Sequence, residues 1–81
     1  MNIKNNILNY LYDKKYFISI YDNNIYLYNY EKINNISKSL IEILFSSFKI
    51  IIKGFSLNIN KMTDKELLIE GEINYIEKTN R

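Results

Sequence analysis

Along most of the chain apolar and polar residues alternate with a period of two, the pattern of strands whose faces meet different surroundings. The regularity begins at residues 16–21, with Phe17, Ser19 and Tyr21 on one face and Ile18 and Ile20 on the other. Asp22-Asn23-Asn24 comes next, and Asn and Asp bond their own backbone and tolerate left-handed conformations, which predicts a turn. Residues 25–30 alternate again, Ile25, Leu27 and Asn29 against Tyr26, Tyr28 and Tyr30. Strand, turn and strand make a hairpin. Residues 31–39 are polar apart from Ile33 and Ile36 and carry a second turn signal at Asn34-Asn35, so they read as a connection. Residues 40–45 and 48–53 read as two more strands joined at Ser46-Ser47; six residues are too few for a helix, and the flanks are β-branched and aromatic. After Gly54 the alternation resumes through Phe55, Leu57 and Ile59, residues 61–65 read as a loop, and Leu67 and Ile69 lead to Gly71. Ile73, Tyr75 and Ile76 complete the pattern.

Residues 2–13 follow another period. Ile3, Ile7, Leu8 and Leu11 suit one face of a short helix, although Asn5, Asn6 and Asn9 are weak helix formers. The expected architecture is all-β: a small curved antiparallel meander or partly open barrel of about six short strands. Residues 1–14 form a lead-in or short N-terminal helix, 15–78 a single β domain and 79–81 a polar tail.

The chain holds two glycines, Gly54 and Gly71, and each interrupts a strand pattern: Ile52-Lys53-Gly54-Phe55-Ser56-Leu57 and Ile69-Glu70-Gly71-Glu72-Ile73. Glycine inside a strand marks a bulge or sharp bend where a Cβ would not fit, so both are expected as structural positions that curve the sheet.

Composition narrows the function classes. Eighty-one residues allow one domain, and 47% hydrophobic with 15% aromatic content is too apolar for a disordered tail. No Cys and no His removes disulfides, thiol nucleophiles, the usual zinc sites and the commonest general base. Ile, Asn, Lys, Tyr and Phe dominate while Ala, Val and Gln are absent, a bias of A- and T-rich codons that accounts for the many Asn and for Lys over Arg. No apolar run approaches the ~20 residues of a membrane-spanning helix, and the N-terminal residues lack a signal-peptide core, so a cytoplasmic protein is expected.

Candidate chemistry is sparse. Asp64, Glu66, Glu70, Glu72 and Glu77 crowd the C-terminal third; Gly71 breaks the register that would align three of them, and a solvated, aggregation-resisting strand face explains them. Lys14, Lys15, Lys49, Lys53 and Lys61 beside the tyrosines invite a single-stranded nucleic-acid reading, with bases stacked on rings along a basic groove. Against it stand a net charge of only +2, one Arg and no recognised RNA- or DNA-binding motif. No phosphate loop, nucleophile elbow or EF-hand pattern is present, so neither an enzyme nor a cofactor is expected. Tyr26, Tyr28 and Tyr30 read instead as an amphipathic sheet face, half buried or covered by a partner.

Residues 15–77 resemble the YabP/YqfC family of sporulation proteins, and the YqfC branch in particular. The likeness rests on Ile50-Ile51-Ile52-Lys53-Gly54-Phe55-Ser56-Leu57-Asn58-Ile59, followed by Glu66-Leu67-Leu68-Ile69-Glu70-Gly71-Glu72-Ile73-Asn74-Tyr75-Ile76-Glu77. These match a strand, a Gly, a spacer to Leu, a loop, then an apolar strand ending in Glu-Gly-x-Ile. Phe17-Ile18-Ser19-Ile20 and residues 25–30 fall where the family has its first two strands. Ser46-Ser47 replaces a Gly-containing turn of the family, and Tyr30-Glu31-Lys32 a His-Arg/Lys-Gly type turn. The resemblance implies a non-catalytic protein of the sporulating mother cell, at the forespore surface during cortex or coat assembly. It also implies a protein partner, the sporulation membrane protein YqfD being the candidate. Three modes of action follow: contact through Tyr26, Tyr28 and Tyr30 or a strand edge, single-stranded nucleic-acid binding, or self-association edge to edge.

Overall fold

A computed structural model of the chain describes residues 16–81. The helix or lead-in expected over residues 1–14 lies outside the described residues. Six strands follow one another: β1 (Phe17–Ile20), β2 (Asn24–Tyr28), β3 (Lys32–Ile36), β4 (Leu40–Leu44), β5 (Phe48–Met62) and β6 (Glu66–Asn80). All pair antiparallel in one open sheet, order β1-β2-β6-β5-β4-β3, with β1 and β3 at the edges. The expected all-β class holds, and the sheet stays open. Two details differ from a meander of short strands. β6 inserts between β2 and β5, and β5 and β6 each run 15 residues straight through their glycines. β6 also continues through Thr79 and Asn80, which pair with Lys49 and Phe48, so it enters the stretch read as a polar tail.

Residues 31–39, read as a connection, contain β3. Its polar Lys32, Asn34 and Asn35 conceal the strand because an edge strand needs only one set of backbone partners and few buried side chains. The Asn34-Asn35 signal marks a bulge rather than a turn, since the β3–β4 register slips between Ile33 and Asn35.

The sheet is built from two like halves. From Ser19 onward, adding 16 to a residue number in the β1–β2 hairpin gives its counterpart in β3–β4; before it the β3 bulge reduces the offset to 15, so Ile18 matches Ile33. Tyr21 N–H donates to Asn24 C=O at 2.8 Å, and Ser37 N–H to Leu40 C=O at 2.8 Å. Each hairpin lies beside the first half of a long strand. Ile25 and Leu27 pair with Ile69 and Leu67 of β6, and Ile41 and Ile43 with Ile52 and Ile50 of β5. β2 and β4 share one burial pattern, two inward side chains between three half-buried ones. Both hairpin turns lean on a glycine: Gly71 N–H donates to Asn23 C=O at 3.0 Å and Gly54 N–H to Ser39 C=O at 3.1 Å.

Where the halves meet, β5 and β6 cross through bulges. Their register slips at Lys53/Gly54 and again between Phe55 and Asn58, where Ser56 takes φ 51°. Inward residues of β5 accordingly change parity, from Phe48, Ile50 and Ile52 to Leu57, so the strand bends without exposing its apolar side. Ile25, Leu27, Leu67 and Ile69 of one half and Ile41, Ile43, Ile50 and Ile52 of the other thus belong to a single core. Tyr16 closes one end. Its ring meets Phe48 edge-on at 4.7 Å, and Phe48 stacks on Phe45 at 4.7 Å, beneath the Lys78 ammonium.

Candidate functional site

The outer face of the first half carries the tyrosines. On β2 the inward positions are Ile25 and Leu27, both fully buried, so the alternation turns Tyr26 and Tyr28 outward, where they are half-buried. The pairing register brings neighbours from two other strands. Phe17 lies across from Tyr28 and Ser19 across from Tyr26 on β1, while Leu68 and Glu66 lie across from Tyr26 and Tyr28 on β6. The Phe17 and Tyr26 rings tilt together at 6.3 Å. Phe17, Tyr26, Tyr28 and Leu68 therefore form one apolar patch drawn from three strands.

Glu66 bounds this patch. The Tyr26 hydroxyl donates to its carboxylate at 2.9 Å, and the Lys61 ammonium sits 3.6 Å away on the other oxygen. Partial burial, the hydrogen bond to Glu66 and the nearby negative charge push the Tyr26 phenol up to about 12. The ring stays neutral and fixed at any ordinary pH. Beside Tyr28 a shallow depression is lined by Thr63, Asp64, Lys65 and Glu66.

Tyr30 does not share this face. β2 ends at Tyr28, and Asn29 takes φ 65°, a left-handed conformation that Asn accepts more readily than most residues. Its N–H donates to Lys65 C=O at 2.6 Å, and the broken alternation sends Tyr30 inward. Tyr30 is 9% exposed, part of the core, and its hydroxyl donates to Thr63 C=O at 2.7 Å. Phe17 and Leu68 were absent from the sequence-derived candidates. Phe17 shared a face with Ser19 and Tyr21 in the pattern, but placing it against Tyr28 needs the hairpin register, and Leu68 needs a pairing 42 residues distant (68 less 26).

The glycines stand apart from the patch, at the crossing of β5 and β6. A Cβ on Gly54 would lie 1.9 Å from the Glu72 carbonyl oxygen. Gly71 has φ 138°, and a Cβ there would lie 2.8 Å from the Ser56 carbonyl oxygen and 3.0 Å from Leu57 Cα. All the obstructing atoms are backbone, so only the missing side chain lets the strands cross this closely.

The C-terminal carboxylates have separate local partners: Glu66 as above, Glu70 the Asn60 amide, and Glu77 the Tyr75 hydroxyl. Among the described residues no group of three could hold a metal ion, and no helix is long and apolar enough to cross a membrane.

The family model that matches this chain is that of the YabP family, over residues 13–80. No curated protein and no solved structure matches it.

Proposed function

The chain belongs to the YabP family, a sporulation-associated group, and from that premise we propose that it is a non-catalytic adaptor working by protein–protein contact. It acts in the mother cell at the forespore envelope, during cortex or coat assembly. The contact surface is the outer patch of Phe17, Tyr26, Tyr28 and Leu68. The observation that supports this most is a cluster of three aromatic rings on the solvent side of a sheet whose inner side already holds the core. Aromatic rings are enriched at the centres of protein interfaces, where they bring large contact area with little rotamer entropy to lose. The Glu66 and Glu70 carboxylates beside the rings favour a protein partner over a polyanion. A sporulation membrane protein such as YqfD is the candidate partner.

The experiment is a pull-down and imaging of the tagged chain in a sporulating low-GC host, alongside the Tyr26→Ser/Tyr28→Ser double variant. Wild type should ring the forespore and recover a membrane protein. The folded double variant should lose both. Unchanged recovery by a folded variant would exclude the patch, and a diffuse signal with nucleic acid in the eluate would exclude the adaptor reading.

A further inference from the structure

The two edges of the sheet are equivalent in the repeat yet differ in how they meet solvent. β3 is guarded in the ways edge strands usually are: Lys32 lies on it, a bulge interrupts its register, and the Asn34 amide is tied to Glu42 at 2.6 Å. β1 reads Phe-Ile-Ser-Ile, with no charge, no proline and no register shift. Among the described residues its backbone is half used. Tyr21 bonds Asn24, so the alternation of an antiparallel ladder directs the peptide groups of Ser19 and Phe17 to β2 and those of Ile18 and Ile20 away from it. Ile20 shares the inward face with the fully buried Ile25, its direct partner, but is 59% exposed, since among the described residues no strand lies beyond it.

We propose that β1 is the seam of a homodimer, in which two copies pair antiparallel, β1 against β1, about a two-fold axis centred on Ser19. In that register Ile18 faces Ile20 of the second copy, and both have outward N–H and C=O groups. The two such pairs make four backbone hydrogen bonds. The inward sides also match, since Ile18 of one copy covers the exposed Ile20 of the other. On the outer side Phe17 meets Tyr21, which is 58% exposed in the single chain. The charge order of the sequence, Lys14-Lys15 before the strand and Asp22 after it, suits the antiparallel sense. A parallel copy would bring like signs together. The seam also places the two outer patches on the same side of one continuous sheet. Because β3 is guarded, the assembly closes at two rather than growing into a fibre. Only a few residues per copy take part, so the dimer belongs to the small, reversible class.

Sedimentation of the full-length chain across a wide concentration range tests this, with far-UV circular dichroism as the check on folding. The average mass should climb from monomer toward dimer. Ile20→Lys should weaken association on the order of tenfold or more, while Ile36→Lys, the counterpart on β3 and 58% exposed, should leave it unchanged. The chain has no cysteine of its own, so Ser19→Cys supplies a single thiol. At the centre of the two-fold the two Cα atoms should be about 4.5 Å apart, and oxidation should give a covalent dimer. The matching Asn35→Cys should not crosslink. A chain monomeric at every concentration would overturn the seam, whether β1 is then bare or covered by residues 1–15. So would a dimer that Ile36→Lys disrupts as strongly, or a Ser19→Cys chain that stays uncrosslinked at dimer-forming concentration. The outcome is independent of the partner pull-down, which reads the outer patch rather than the edge.

Discussion

The halves of the sheet hold the same backbone and the same interior while their outer surfaces have diverged. Ile25, Leu27, Leu67 and Ile69 in one correspond to Ile41, Ile43, Ile50 and Ile52 in the other, aliphatic for aliphatic. Outward, Tyr26 corresponds to Glu42, Tyr28 to Leu44, Leu68 to Ile51 and Glu66 to Lys49. Where the first half has a ring cluster, the second has an ion pair, Lys49 to Glu42 at 3.9 Å. The inward positions are constrained by a close-packed core that tolerates little change in volume. The outward positions need only keep the strand soluble, so they are where a surface specific to one half can arise. That difference is why the first half is the place to look for a partner.

Disabling what the halves share should do the most damage. Gly71→Val forces a β-branched side chain into φ 138° against the Ser56 carbonyl, and Gly54→Ala drives a methyl into the Glu72 carbonyl. Each should cost more than about 3 kcal/mol and leave the chain unfolded or molten by circular dichroism. A folded Gly71→Val protein would mean that the crossing is looser than the strand spacing implies.

Next in size are equivalent cavities. Ile25→Ala and Ile41→Ala each empty a fully buried site, and each should lower stability by about 2–5 kcal/mol in urea unfolding. Similar losses, with one cooperative transition for both, would mark the halves as a single folding unit. A transition that splits in either variant would show that they fold separately.

The smallest effect sharpens the contrast between the outer faces and is read by pH. The Tyr26 phenol is raised from 10.0 to about 12 in the folded chain by desolvation and by Glu66. A proton held more tightly when folded stabilises the fold, fully below pH 10 and decreasingly as pH rises toward 12. Thermal unfolding of the native chain should therefore shift down across that alkaline window. Tyr26→Phe should flatten part of the decline while changing little at neutral pH, and an identical decline in the variant would remove Tyr26 as its source.

The glycine pair already hinted at a repeat in the sequence, since Gly54 and Gly71 sit in matching apolar contexts. The sixteen-residue offset between hairpins was harder to see, because Asn24-Ile25-Tyr26-Leu27-Tyr28 and Leu40-Ile41-Glu42-Ile43-Leu44 agree only at their inward positions. β3 was missed for the same reason: an edge strand with Asn at two of five positions lacks the apolar alternation that announces a buried one.

Burial acts on each strand separately with a period of two. Residue types along the chain were therefore enough to place every strand except β3, with turns at 22–24 and 46–47, and the alternation within them. Strand order depends on which distant segments pair, and no local pattern encodes the insertion of β6 between β2 and β5. Nor does alternation register a backbone that leaves the β region. The left-handed turn at Asn29 takes Tyr30 out of the row it shares with Tyr26 and Tyr28 in the sequence, and pairing with β1 and β6 brings in Phe17 and Leu68. The surface patch thus belongs to the fold, because its members meet only once three strands have found their register.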